Sequence, residues 1–139
     1  MRRLNRGFTL LELLVVISLV GFLVGLGAVS YSKAQKDTRD ARRKGDMKAV
    51  QSGFEEFYGE NTRYPKDETE ADTAVIGGLP IDPKNSGDYA YEVKYDGTLG
   101  VAYCACSLLE SATGNATALP SDTNCNWGEG SYFCVSSLQ

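Results

Sequence analysis

Two sets of residues could carry chemistry in this sequence: a lone glutamate inside an apolar run, and four cysteines near the C-terminal end. Glu12 is the single charge in the 22 residues from Phe8 to Val29. A carboxylate buried in hydrocarbon costs roughly 2.5–3.5 kcal/mol near a bilayer centre and less toward the interface. It therefore either sits shallow and reaches for water or meets a cation, for example one supplied by another chain. The cysteines are Cys104, Cys106, Cys125 and Cys134. An even number in an exported domain reads as two disulfides. Cys104 and Cys106 would point to one face of a strand, so a bond between them is disfavoured. A nested pairing, Cys104 with Cys134 and Cys106 with Cys125, is the expectation, with the crossed pairing left open. Zinc is the competing use, but without histidine or a Cys-x-x-Cys pair the spacing is poor. Catalysis has little else to rest on: there is no histidine, no phosphate-cradling glycine loop and no nucleophile elbow. The remaining carboxylates lie on polar stretches and read as solvated. No enzyme is expected.

Elements must position these groups, and the first is the apolar run. Arg2, Arg3 and Arg6 precede it, a targeting or topology signal. As a helix, 8–29 would rise about 33 Å, enough to cross the ~30 Å hydrocarbon core. An ordinary secretory signal cut near Gly27-Ala28-Val29-Ser30 is the alternative, which would leave a secreted binding module beginning at Tyr31. That alternative gives Glu12 no reason to be there.

The octapeptide Arg6-Gly7-Phe8-Thr9-Leu10-Leu11-Glu12-Leu13 resembles the class III signal of type IV prepilins and type II secretion pseudopilins. The resemblance implies a membrane-embedded prepilin peptidase that cuts between Gly7 and Phe8 and N-methylates Phe8. It implies that Glu12 serves assembly by meeting the N-terminal amine of a neighbouring subunit. It also implies a pilin fold: α+β, a long N-terminal helix packed on a small antiparallel sheet. The expected partners are further copies in a helical filament, the prepilin peptidase, and an inner-membrane platform with its assembly ATPase. The expected location is the inner membrane as a single-pass precursor, then a surface pilus or a periplasmic pseudopilus.

The helix should continue past Val29. Tyr31, Ala34, Thr38, Ala41 and Gly45 recur at spacings of three and four, and Met47, Val50, Phe54 and Phe57 follow the same rule. The first set is mostly small and suits close approach of another helix; the second is bulky and suits a sheet. Gly59, Asn61 and Tyr64-Pro65 mark the exit. Many members of the resembled family carry a proline within this helix. Here no proline precedes Pro65, and Gly21, Gly25 and Gly27 cluster instead. The stretch 21–27 is expected either to loosen in a filament or to pack closely against glycine faces.

The net charge of −4 is unevenly spread. Residues 33–48 hold seven basic and three acidic side chains, while 49–139 hold four basic and fourteen acidic ones, a net −10. An acidic head argues against nucleic-acid binding there. The basic run, Lys33 to Lys48, reads first as a solvated helix face; contact with acidic heads of neighbours is the sharper reading, and DNA or anionic lipid the weakest.

The expected organisation is a leader at 1–7, a membrane-spanning and filament-core helix at 8–29, an amphipathic continuation at 30–60 and a small β head at 61–139. After Pro65 an acidic linker is expected, then turns at 79–87. Tyr89, Tyr91, Val93 and Tyr95 alternate, Asp96-Gly97 signals a hairpin, and Leu99, Val101 and Tyr103 alternate on the return. A third strand fits 131–136, giving a three-stranded sheet on the lower half of the helix. Tyr64-Pro65, Leu79-Pro80-Ile81-Asp82-Pro83 and Tyr89-Ala90-Tyr91 are similar to the head of major pseudopilins. That resemblance raises calcium in the loop 121–130, where Asp122, Asn124, Asn126 and Glu129 lie. Their spacing matches no recognised calcium loop, so no cofactor is assigned. Asn115-Ala116-Thr117 fits a glycosylation sequon but reads as a loop. The leading expectation is a structural subunit of a type IV pilus. A major-pseudopilin-like subunit of a type II secretion system and a competence pilin that takes up DNA are the alternatives.

Overall fold

The computed structural model describes residues 7–139, so the arginines of the expected leader lie outside the described residues. The chain divides into two compact units with the boundary between Gln35 and Lys36. The first contains the apolar half of helix α1, which runs Leu10–Asn61. The helix is continuous through Gly21 and Gly25 in the single chain.

The second unit is built around the rest of α1. Asn61 ends the helix with its Nδ2 on the Phe57 carbonyl, and Thr62 turns the chain at φ 55°. A left-handed residue just past a helix end is the usual way to release the last carbonyls. A short helix α2, Glu68–Ala74, takes the place of the expected acidic linker. Its start is chemically marked: the Asp67 carboxylate accepts the Glu70 amide at 2.9 Å, and Glu70 accepts the Lys66 amide at 3.0 Å. Arg63 then grips Glu70 with two guanidinium nitrogens, at 2.6 and 2.9 Å.

The sheet has five strands rather than three: β1 Glu92–Tyr95, β2 Tyr103–Leu108, β3 Gly114–Ala118, β4 Asn126–Gly130 and β5 Tyr132–Ser136. Their spatial order is β1-β2-β5-β3-β4, and every pair is antiparallel. The Asp96-Gly97 signal also needs correction. The turn extends from Asp96 to Ala102, organised by the Asp96 carboxylate, which accepts the amides of Thr98, Leu99 and Val101. Leu99 and Val101 are exposed in that loop instead of pairing. Tyr89 lies in a single 3₁₀ turn, not in the strand.

Strand β2 is buried on both faces, and its alternation assigns each face a task. Tyr103 and Ala105 meet Met47, Val50 and Phe54 of α1, together with Tyr64, Ala71 and Val75. Cys104 and Cys106 face the other way, into a second cluster with Ala116, Cys125 and Cys134. Of the bulky helical set, Met47, Val50 and Phe54 form the sheet-docking face, as their spacing predicts, while Phe57 lies outside that cluster, half-buried with the Arg63 guanidinium 5.5 Å from its ring centre. Phe54 and Tyr103 meet edge-on with centroids 4.7 Å apart. Gly53 permits the approach of the 74–75 backbone to α1; a β-carbon there would lie 2.6 Å from the Ala74 carbonyl oxygen.

Candidate functional site

The N-terminal unit presents its expected site residues before and within the first turn of α1. Gly7, Phe8 and Thr9 precede the helix, and Glu12 is its first acidic residue. The Glu12 amide donates to Thr9 Oγ1 at 3.2 Å, and the Leu13 amide donates to the Thr9 carbonyl. Thr9 thus caps the helix through the Glu12 amide, and Thr9-Leu10-Leu11-Glu12 fits the sequence pattern of a capping box, a local signal that sequence reasoning missed. An acid in the first helical turn is also favoured by the helix dipole. Glu12 has a local reason to be where it is, besides any intermolecular one.

Beyond Glu12 the apolar surface of the helix is bare within this unit. The large apolar residues from Phe8 to Leu26 are 45–88% exposed, and they occupy the whole circumference of the helix. A helix that is apolar all round is stable only when something covers it, either lipid or other helices. Its most apolar 18-residue window has mean hydropathy 2.6, long and apolar enough to cross a membrane.

The second unit contains a charge cluster that corrects the expectation of a solvated basic face and scattered solvated acids. Arg43 is fully buried and donates to Asp82 (2.5 and 3.1 Å), Asp40 (2.9 Å) and Glu110 (2.8 Å). Arg39 adds a two-nitrogen grip on Glu110 at 2.6 and 2.7 Å. Asp40 also accepts the amides of Glu110, Ser111 and Ala112 at 2.8–3.0 Å. Burial would raise the Asp40 and Asp82 carboxyls, but these donors hold both below the ordinary range. Bonds from Arg39 and then Arg43, against the opposing effect of burial, bring Glu110 down to about 2. One cation joins α1 to the 82–85 turn and the 109–112 loop. Only Asp40 and Arg43, three apart on one helix face, gave a local sign of this arrangement.

The cysteines form two disulfides, but not with the expected nested partners. Cys104 bonds Cys125 and Cys106 bonds Cys134. The β2–β5 register is the physical reason. Cys106 sits directly opposite Cys134, with Cα atoms 4.1 Å apart, while Cys104 sits opposite Ser136. That leaves Cys104 for the cysteine of the 119–125 loop. All four sulfurs lie within 4.8 Å of one another, which is why spacing along the chain could not choose.

The other expected residues are dispersed. Asp122 accepts the amide of Asn124, and Asn126 Nδ2 donates to the Leu119 carbonyl. Both bonds shape the loop locally. Asn115 is not an idle loop residue: its side chain accepts the Cys134 amide at 2.7 Å and donates to the Cys134 carbonyl at 2.9 Å.

Comparison with known proteins gives the same direction as the N-terminal segment. The model of the prokaryotic N-terminal methylation motif matches residues 2–28. The chain is similar to the type IV major pilin protein PilA of Myxococcus xanthus, 29% identical over 89 residues covering 64% of this chain and 37% of that protein. It is 32% identical over 100 residues to the type IV major pilin protein PilE of Neisseria gonorrhoeae, covering 69% and 54%. It is 33% identical over 90 residues to the type II secretion system core protein G of Dickeya chrysanthemi, covering 64% and 57%. No solved structure matches the chain significantly. The chain spans between 37% and 57% of the length of the curated relatives it matches. Motif and relatives together support the type IV pilin and type II secretion pseudopilin family. Within it the chain is similar to pilins and to a pseudopilin alike.

Proposed function

We propose that the chain is a structural subunit of a type IV pilus, cut between Gly7 and Phe8, N-methylated on Phe8 and polymerised through its N-terminal helix. The observation that supports this most is the helix surface from Phe8 to Leu26, exposed on every side and interrupted only by Glu12 among charged residues. Lipid covers such a surface in a precursor, and packed copies of the same helix cover it in a filament. Cutting after Gly7 would create an ammonium at Phe8. In a low-dielectric filament core that charge offsets the cost of burying Glu12 of a neighbour. The two disulfides suit a small exported head in an oxidising compartment, a requirement that the cell surface and the periplasm both meet.

Mass analysis of the mature chain tests the processing: the expected N-terminus is methylated Phe8, and a chain beginning at Tyr31 would end the reading. Electron microscopy of sheared surface material separates the two machines. Filaments carrying this chain at the cell surface support the pilus. A mature chain confined to the periplasm beside a secretin supports the pseudopilus, the reading favoured by similarity to the secretion core protein.

A further inference from the structure

Between α2, β1 and the 79–85 loop lies an open groove of about 530 Å³, with Met47 and Val50 of α1 among its apolar lining and Leu79 and Val93 beside them. Glu68 and Asp72 line it as well. They are four residues apart on α2 and so share a face. Both are exposed. Glu68 makes no ion pair among the described residues, and Asp72 spends one carboxylate oxygen on the Leu79 amide at 2.9 Å. The other two acids of the lining are engaged, Asp82 by Arg43 and Glu92 by Lys94 at 2.6 Å. No basic side chain lines the groove among the described residues. It therefore offers an apolar wall and two uncompensated carboxylates, which fits a side chain with an aliphatic stem and a cationic tip.

The chain itself carries such side chains. In the basic run, Arg43 is buried, Arg39 holds Glu110 and Arg42 faces Asp46 at 3.7 Å. Lys33 and Lys36 are exposed and make no ion pair among the described residues. They are three apart on α1, so their ammonium groups leave from one face, as the two carboxylates do on α2. Neither lysine is among the residues that line the groove. A contact between them is heterologous, the kind that propagates into an open helical assembly instead of closing on itself. We propose that the groove lined by Glu68 and Asp72 receives Lys33 and Lys36 of a second copy of this chain, and that this contact repeats along the filament. The proposal rests on the filament reading given above.

Filaments assembled from the full chain in cells that export it are the material for the test. Zero-length carbodiimide coupling followed by peptide mapping should yield dimers joined between Lys33 or Lys36 and Glu68 or Asp72. Glu68→Lys with Asp72→Lys should lower filament yield about tenfold or more, since like charges then meet at the contact. Lys33→Glu with Lys36→Glu should do the same, and the four changes together should recover most of it. Glu68→Gln with Asp72→Asn, which leaves the shape of the head intact, should abolish the cross-link. Intact disulfides in each variant show that the head has folded. If wild-type filaments form without this cross-link, and the reversed variants assemble as well as wild type, the groove holds something other than a second copy. The inference then fails while the filament reading stands. If the chain is not cut after Gly7 and forms no filament, both fail together.

Discussion

Arg43 and Asp82, 39 residues apart in sequence, form a two-nitrogen ion pair in which both side chains are fully buried. A buried guanidinium is tolerated only when its donors find acceptors, and here three carboxylates share them. Removing the cation would leave Asp40, Asp82 and Glu110 facing one another without it. Arg43→Met is therefore expected to cost about 3–5 kcal/mol of head stability, read as a shift in the urea midpoint. Asp82→Asn, which keeps an acceptor for the guanidinium, should cost less. Equal losses for the two variants would contradict the assignment of Arg43 as the hub.

The same cluster sets a pH dependence with a definite sign. The Asp40, Asp82 and Glu110 carboxyls are all held low in the folded head. Groups depressed on folding bind fewer protons than in the unfolded chain, so stability is present at neutral pH and lost as pH falls. For Glu110 the window runs from its ordinary 4.5 down to about 2. Thermal melts of the detergent-solubilised chain should lose midpoint steadily across that range. Glu110→Gln should lower the melt at pH 7 and flatten the acid limb.

Much of the helix was legible because its signals are local. Met47, Val50 and Phe54 repeat at helical spacing, and all three are fully buried against the sheet. The charge cluster was not legible, because Arg43 lies 39 residues from Asp82 and 67 from Glu110. Before folding, nothing distinguishes these acids from Glu56 or Glu60, which stay exposed. Strands β3 and β4 escaped for a compositional reason. Gly-Asn-Ala-Thr-Ala and Asn-Trp-Gly-Glu-Gly lack the β-branched and aromatic alternation that marks β1, and long-range pairing alone makes them strands. Helix α2 could have been found: Asp67 followed three residues later by Glu70 is a capping signature.

Gly53 separates propensity from packing. Alanine at an exposed mid-helix glycine would gain about 1 kcal/mol. At this position a β-carbon meets the Ala74 carbonyl at 2.6 Å and Val75 Cα at 3.1 Å, both backbone atoms that cannot swing aside. Gly53→Ala should therefore destabilise the head by about 1–3 kcal/mol, as overpacking does. A rise in the thermal midpoint would show that α2 yields more easily than this geometry implies.

The disulfide map is open to direct measurement. Peptide mapping without reductant should return Cys104–Cys125 and Cys106–Cys134. Replacing Cys106 and Cys134 together by serine should cost about 2–5 kcal/mol. A fragment joining Cys104 to Cys134 would contradict the β2–β5 register, because Ser136 is the residue opposite Cys104.

Glu12 has two physical reasons to exist, and one substitution distinguishes them. Glutamine serves a capping box as well as glutamate does but carries no charge. If the carboxylate neutralises a neighbour's amine, Glu12→Gln should leave cleavage after Gly7 intact and sharply reduce filament. If capping is its whole role, the glutamine variant should assemble normally and only Glu12→Leu should fail.

Strand β5 lies in the middle of the sheet, between β2 and β3, although it comes last of the five in the chain. Synthesis proceeds from the N-terminus, so the helical and early strand segments are complete before their central neighbour exists. Until residue 136 has been made, β2 has an open edge, Cys106 has no partner opposite it, and β3 has nothing joining it to β2. The head thus behaves as a timer: its centre can lock only once the chain through residue 136 is available to pair with β2 and to bring Cys134 opposite Cys106.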